Sequence, residues 1–289
     1  MRGGWVEVEG LLVHHVHGGR GSPPVVFVHG LGSAGYLEWR FNLPVIARRH
    51  RVYAPDLPGF GRSDKPPDGY GIPLFAQVVE RYLERQLRGR PQRPVLVGAS
   101  MGGRVALEVA LRNPGAVERL VLVNALGVVR PNLQPFYPLM LVPRVGEGVM
   151  RGVREALHRL PAETIRRGAG RFLGVRGDLP RVLDEPYLAR LREMHAEAGY
   201  PRAYTATVRS LAGPEFYRSD QLVSRLAGTG LPVLLVWGEG DRLLPLARAR
   251  RTHERLPGSR LEVIEGAGHA PQAERPDEFN RVLEQFLAS

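Results

Sequence analysis

Three side chains in the chain are typed and spaced for nucleophilic acyl chemistry. Ser100 lies in Gly98-Ala99-Ser100-Met101-Gly102-Gly103, directly after the apolar run Val95-Leu96-Val97. A strand that turns sharply into a helix forces the turn residue into a strained backbone and lifts its side chain above the sheet. Glycine-sized neighbours two positions to either side let the chain bend that tightly, which is the G-x-S-x-G nucleophile elbow. Such an elbow also sets the serine oxygen at a helix N-terminus, where developing negative charge is favoured. Serine alone is a weak nucleophile. It needs a base, and the base needs an orienting carboxylate.

The elbow predicts the order Ser, then Asp or Glu, then His, each after a later strand. Val233-Leu234-Leu235-Val236-Trp237 is followed by Gly238-Glu239-Gly240-Asp241, and Leu261-Glu262-Val263-Ile264 by Glu265-Gly266-Ala267-Gly268-His269. Asp241 is read as the orienting acid, with Glu239 its nearest rival, and His269 as the base. The oxyanion of acyl transfer needs two N–H donors. One is assigned to Met101, just after the nucleophile. The other is assigned to Leu31 in His29-Gly30-Leu31-Gly32-Ser33, with Gly32 the rival. His29 is read as a structural histidine holding that loop. Asp56 and Asp64, in Asp56-Leu57-Pro58-Gly59-Phe60-Gly61-Arg62-Ser63-Asp64, are read as turn chemistry supporting the same edge. His14, His15 and His17 raise a metal site. Alternate strand residues share a face, so only His15 and His17 point together, and no third ligand is identifiable. No metal or cofactor is expected.

The elements that must position these residues follow the same pattern. Residues 5–16 alternate around Gly10 as an antiparallel pair. Short apolar runs at 25–28, 52–54, 95–97, 120–123, 233–237 and 261–264 are separated by helical patterns near 73–88, 101–112, 245–256 and 275–288. Continuous apolar strands alternating with helices mark a parallel sheet covered on both faces, an α/β architecture. Between 127 and 225 the rhythm breaks. No convincing strand is visible there, and short helical stretches carry Met140, Met150 and Met194 with Phe136, Tyr137, Phe172, Tyr187, Tyr200, Tyr204, Phe216 and Tyr217. This stretch, with sixteen Arg against ten acids, is read as a helical insertion into a core formed by 1–126 and 226–289.

Composition bounds the function. The 289 residues are 43% hydrophobic and 24% charged, an ordinary globular mixture. There is no cysteine, hence no disulfide, thiolate nucleophile or thiolate metal site. No apolar run approaches the roughly 20 residues that span a bilayer. The N-terminus lacks a secretory apolar stretch, so a cytoplasmic protein is expected. Net charge is +11, and Lys65 is the one lysine among forty basic residues. The basic residues are scattered among acids rather than gathered in a stripe, which argues against a nucleic-acid partner.

His29-Gly30, the 56–64 loop, the elbow, Gly238-Glu239-Gly240-Asp241 and Gly268-His269 together resemble the α/β-hydrolase superfamily over essentially the whole chain. The resemblance implies a mostly parallel central sheet with helices on both faces, and makes 127–225 a helical cap over the site. Residues 36–66 are similar to the haloalkane dehalogenase and epoxide hydrolase branch, whose nucleophile is aspartate. Ser100 here argues against dehalogenation. The stretch 269–276 looks like the esterase branch. Carbon–carbon hydrolases of ring-cleavage products usually carry Trp after this histidine, where this chain has Ala270. The expectation is a serine carboxylesterase for a small ester with an apolar acyl or aryl group. The same triad also serves carbon–carbon cleavage of meta-cleavage-type diketones, and thioesterase, lactonase, perhydrolase or acyltransferase chemistry. A ligand-binding receptor that retains the fold is the alternative outside enzymes.

Overall fold

The computed structural model describes residues 1–132, 137–173, 178–213 and 218–289, with the backbone alone for residue 137 and residues 171–173. Eight strands form one sheet: β1 (Arg2–Val8), β2 (Leu11–Gly18), β3 (Val25–Val28), β4 (Val52–Pro55), β5 (Val95–Ala99), β6 (Arg119–Val123), β7 (Val233–Gly238) and β8 (Arg260–Ile264). Their spatial order is β1-β2-β4-β3-β5-β6-β7-β8. β1, β2 and β4 pair antiparallel, and every other pairing is parallel. The expected antiparallel start and parallel remainder are both present.

β3, β5 and β7 are buried along their full length. Successive residues of a strand enter different cores. Val26, Val28, Leu96, Leu120 and Leu235 join one cluster, while Val25, Phe27, Val95, Val121 and Leu234 join the other. Each strand is apolar at every position because both of its faces are covered.

On the first face pack α3 (Ile72–Gln86) and α4 (Met101–Arg112), bringing Phe75, Tyr82 and Val105. On the second lie α1 (Gly35–Trp39), α2 (Leu43–Ile46) and α14 (Pro276–Ala288), with Trp39, Leu43 and Phe279. α12 (Leu246–Glu254) follows β7, and α13 (Pro271–Glu274) is a single turn after β8. The described part of the stretch between β6 and β7 is helical: α5 (Tyr137–Leu141), α6 (Val145–Arg159), α7 (Ala162–Leu173), α8 (Leu179–Val182), α9 (Glu185–Ala196), α10 (Tyr200–Leu211) and α11 (Ser219–Ala227). Of the aromatic residues counted there, Phe136, Phe216 and Tyr217 and the side chains of Tyr137 and Phe172 lie outside the described residues. Among the described residues no helix is long and apolar enough to cross a membrane.

Candidate active site

Ser100 joins β5 to α4 at φ 52° and ψ −117°, a left-handed backbone that costs a serine strain. The surroundings hold it there. Ser100 N–H donates to Val123 C=O at 2.9 Å, and Leu126 N–H donates to Ser100 C=O at 3.0 Å. Both flanking glycines are obligatory for a steric reason. A Cβ on Gly98 would collide with the Gly102 carbonyl, and one on Gly102 with the carbonyls of Val28 and His29. Backbone atoms cannot step aside, so the elbow closes only around glycine.

His269 leaves β8 and its Nε2 stands 3.1 Å from Ser100 Oγ. Its Nδ1 is 2.8 Å from Asp241 Oδ2, on the loop after β7. The three side chains, drawn from three strand ends, lie in one hydrogen-bonded line. Glu239 does not compete: it faces solvent and accepts Gly266 N–H at 3.2 Å.

The Asp241 carboxylate is fully satisfied. Oδ1 accepts the N–H groups of Leu243 and Leu244 at 2.8 and 2.9 Å, and Oδ2 accepts the Asn124 amide as well as the imidazole. Burial opposes its ionisation, but the His269 charge and these donors outweigh it and hold the group below the usual carboxylate range. For His269, burial disfavours the cation. The Asp241 charge and hydrogen bond, then Glu38 and Glu274, overcome that and raise its pKa.

The loop after β3 lies against Ser100, with a Cβ on Gly30 reaching 3.4 Å from Ser100 Cβ. Residues 30–33 form a turn closed by Ser33 N–H to Gly30 C=O at 3.4 Å, with Gly32 at φ 78° in its third position. Leu31 occupies the second position, and Met101 opens α4, where a first-turn N–H has no intrahelical partner. His29 is wholly buried. Its Nδ1 donates to Gly30 C=O at 2.8 Å and its Nε2 accepts Leu57 N–H at 2.9 Å. Burial lowers its pKa, and with both nitrogens engaged it braces the loop.

Asp56 does the same for the neighbouring loop. Buried, it accepts Gly35 N–H at 2.7 Å, Arg62 N–H at 2.9 Å and His14 Nδ1 at 2.9 Å. Asp64 Oδ2 accepts Leu12 N–H at 2.7 Å. The rings of His15 and His17 stand 5.0 Å apart, but His15 Nδ1 is bonded to the Tyr82 hydroxyl. Among the described residues no three His, Asp or Glu side chains are grouped to hold a metal ion.

Sequence reasoning passed over Asn124, Glu274 and Glu38. Asn124, at φ 40°, follows β6 directly, so its place at the active edge was readable. It accepts Gly238 N–H at 3.0 Å and donates to Gly268 C=O at 3.3 Å, tying the Asp241 loop to the His269 loop. Glu274 accepts the N–H groups of Gly268 and Ala270, each at 2.8 Å, bracketing His269. Glu38 accepts the Gln272 amide, a pairing 234 residues apart that no local pattern announces.

Comparison with known proteins bears on the family and the fold. Residues 23–276 match the family model described as alpha/beta hydrolase fold. A pimeloyl-[acyl-carrier protein] methyl ester esterase of Aeromonas hydrophila is 30% identical over 92% of this chain and 95% of its own. A 2-hydroxy-6-oxononadienedioate/2-hydroxy-6-oxononatrienedioate hydrolase of Cupriavidus pinatubonensis is also 30% identical, over 96% of this chain and 91% of its own. Among solved structures, a variant of a meta-cleavage product hydrolase from Pseudomonas fluorescens superposes with a TM-score of 0.76 at 25% identity, covering 99% of this chain and 98% of that one. With a sheet of this order and a family match over most of its length, the chain belongs to the α/β-hydrolase family.

Proposed function

We propose that the protein is a serine hydrolase that cleaves a carboxylic ester through an acyl-enzyme. The observation that carries this reading is the unbroken line Ser100 Oγ, His269, Asp241. Ser100 Oγ attacks the carbonyl carbon while His269 Nε2 takes its proton. The N–H groups of Met101 and Leu31 bind the oxyanion. Collapse breaks the ester bond as His269 returns the proton to the alcohol. Water, deprotonated by the same imidazole, then releases the acid from Ser100. Asp241 holds Nδ1–H in place and stabilises the imidazolium. Residues 127–225 act as a cap that receives the apolar acyl or aryl group.

A second reading has its own support. The Cupriavidus pinatubonensis relative is named a 2-hydroxy-6-oxononadienedioate/2-hydroxy-6-oxononatrienedioate hydrolase and the Pseudomonas fluorescens neighbour a meta-cleavage product hydrolase. The same three residues would serve a vinylogous diketone. Turnover of p-nitrophenyl esters from acetyl to palmitoyl, beside a meta-cleavage diketone, separates the two. The ester reading expects turnover peaking at one acyl length and falling by at least ~10⁴-fold in Ser100→Ala. Fluorophosphonate labelling of Ser100 with diketone cleavage and no ester turnover would replace it by the second.

A further inference from the structure

Thirty-nine of the forty basic side chains are arginine, which makes the site of the one lysine informative. Lys65 follows the 56–64 loop and its side chain is only 12% exposed. Its Nζ donates to the carbonyls of Gly61 at 3.3 Å and Ser63 at 3.1 Å, and pairs with the Glu197 carboxylate. Three acceptors around one nitrogen match the three protons of an ammonium. A planar guanidinium, with its donors spread over a fork, cannot meet all three from one atom.

The far side of this pair is the corner between α9 and α10. Gly199 leaves room for the lysine stem, since a Cβ there would stand 2.9 Å from Lys65 Cβ. Tyr200 N–H donates to Glu197 C=O at 3.1 Å, so the ion pair is one hydrogen bond from the residue that opens α10. Tyr200 is wholly buried, edge-on to Phe60 with ring centres 6.1 Å apart, and Phe60 is edge-on to His29. Its hydroxyl donates to Gly32 C=O at 3.3 Å, inside the turn that carries Leu31.

We propose that Lys65 and Glu197 form an ammonium clamp that seats Tyr200 on the 30–33 turn, making the Tyr200 hydroxyl a positioning group for the Leu31 N–H. The proposal rests on the ester-hydrolase reading above and adds residues to it. It is a claim about the transition state. A misplaced oxyanion donor slows the chemical step and leaves ground-state binding almost unchanged.

The test is steady-state kinetics on the best p-nitrophenyl ester. Tyr200→Phe, which removes one oxygen, is expected to lower kcat by about 5- to 10-fold, the range of one hydrogen bond, with KM within about twofold. Lys65→Met and Lys65→Arg should lose a similar factor. The Lys65→Met/Tyr200→Phe double variant should be no slower than the worse single one, because both act through the same hydroxyl. Wild-type kcat in Tyr200→Phe, or losses that multiply in the double variant, would overturn the proposal. Thermal unfolding checks each protein, and Glu197→Gln decides the clamp if the lysine variants do not fold. Should wild type label with fluorophosphonate and leave esters intact, the ester reading fails instead. The same variants are then compared by labelling rate, where unchanged rates overturn the clamp and slowed ones support it.

Discussion

At the scale of single residues, the site is a set of charges held by buried partners. Glu38 lies near His269 and adds to the raised pKa of the imidazole. On the proposed mechanism His269 is a base that works only when neutral, so activity should rise with pH through that raised pKa. Glu38→Gln removes one of the negative charges that favour the imidazolium. The acid limb of kcat/KM should therefore move to lower pH, by a few tenths of a unit up to one. A pH–rate profile with an unmoved limb would show that Glu38 is remote from the titration. That Ser100, Asp241 and His269 meet was legible, because a motif and a chain order announce it. Glu38 and Glu274 were not, since their roles arise from contacts that local sequence does not encode.

At the scale of elements, β2 packs His15 against α3 in a way that should make the fold acid-sensitive. His15 is buried, bonded to the Tyr82 hydroxyl, and beside His17. Burial first, then the charges of His17 and His14, lower its pKa to about 4. His195, buried on α9, is lowered to about 4 as well, by burial and then His158. An unfolded histidine titrates near 6.5, so between pH 6.5 and 4 the unfolded chain takes up protons that the folded chain refuses. Stability should fall across that window, by up to about 1.4 kcal/mol per pH unit for each group. Urea unfolding at pH 7, 6 and 5 measures the slope, and His15→Gln should flatten it. An equal slope in the variant would remove His15 as a cause. The strands themselves were legible from apolar runs, because strands covered on both faces need apolar residues throughout. α1, α2 and α13 were not, since four or five residues make too little of a period to see. β5 runs two residues past its apolar run because Gly98 and Ala99 continue the ladder against β6.

At the scale of the whole molecule, the helices between β6 and β7 are tied to the sheet by two partly buried cations, Lys65 and Arg40. Arg40 donates to the carbonyls of Leu37 at 3.1 Å and Val182 at 2.6 Å, and its guanidinium lies over the rings of Phe41 and Tyr187 at 4.2 and 4.9 Å. Leu183, Leu188 and Tyr187 gather beside Phe41, Ala270 and Ala273, so this tie reaches the residue after His269. Arg40→Met should loosen α8 and α9 and leave the sheet intact. Limited trypsin digestion should then cut within 159–192 several-fold faster than in wild type, with the temperature of unfolding changed little. Equal cleavage rates would show that the apolar contacts alone hold these helices. None of this attachment was legible beforehand, because the partners that make it, Glu197 for Lys65 and Val182 and Tyr187 for Arg40, lie far away in the chain.

The line from Ser100 to His269 spans 169 residues of sequence. During synthesis at roughly 5–20 residues per second, the histidine leaves the ribosome about 10–30 s after the serine. On the proposed mechanism, the nascent chain carries Ser100 through that interval without the base that arms it. Under that mechanism, reactivity at Ser100 waits for the segment that follows β8.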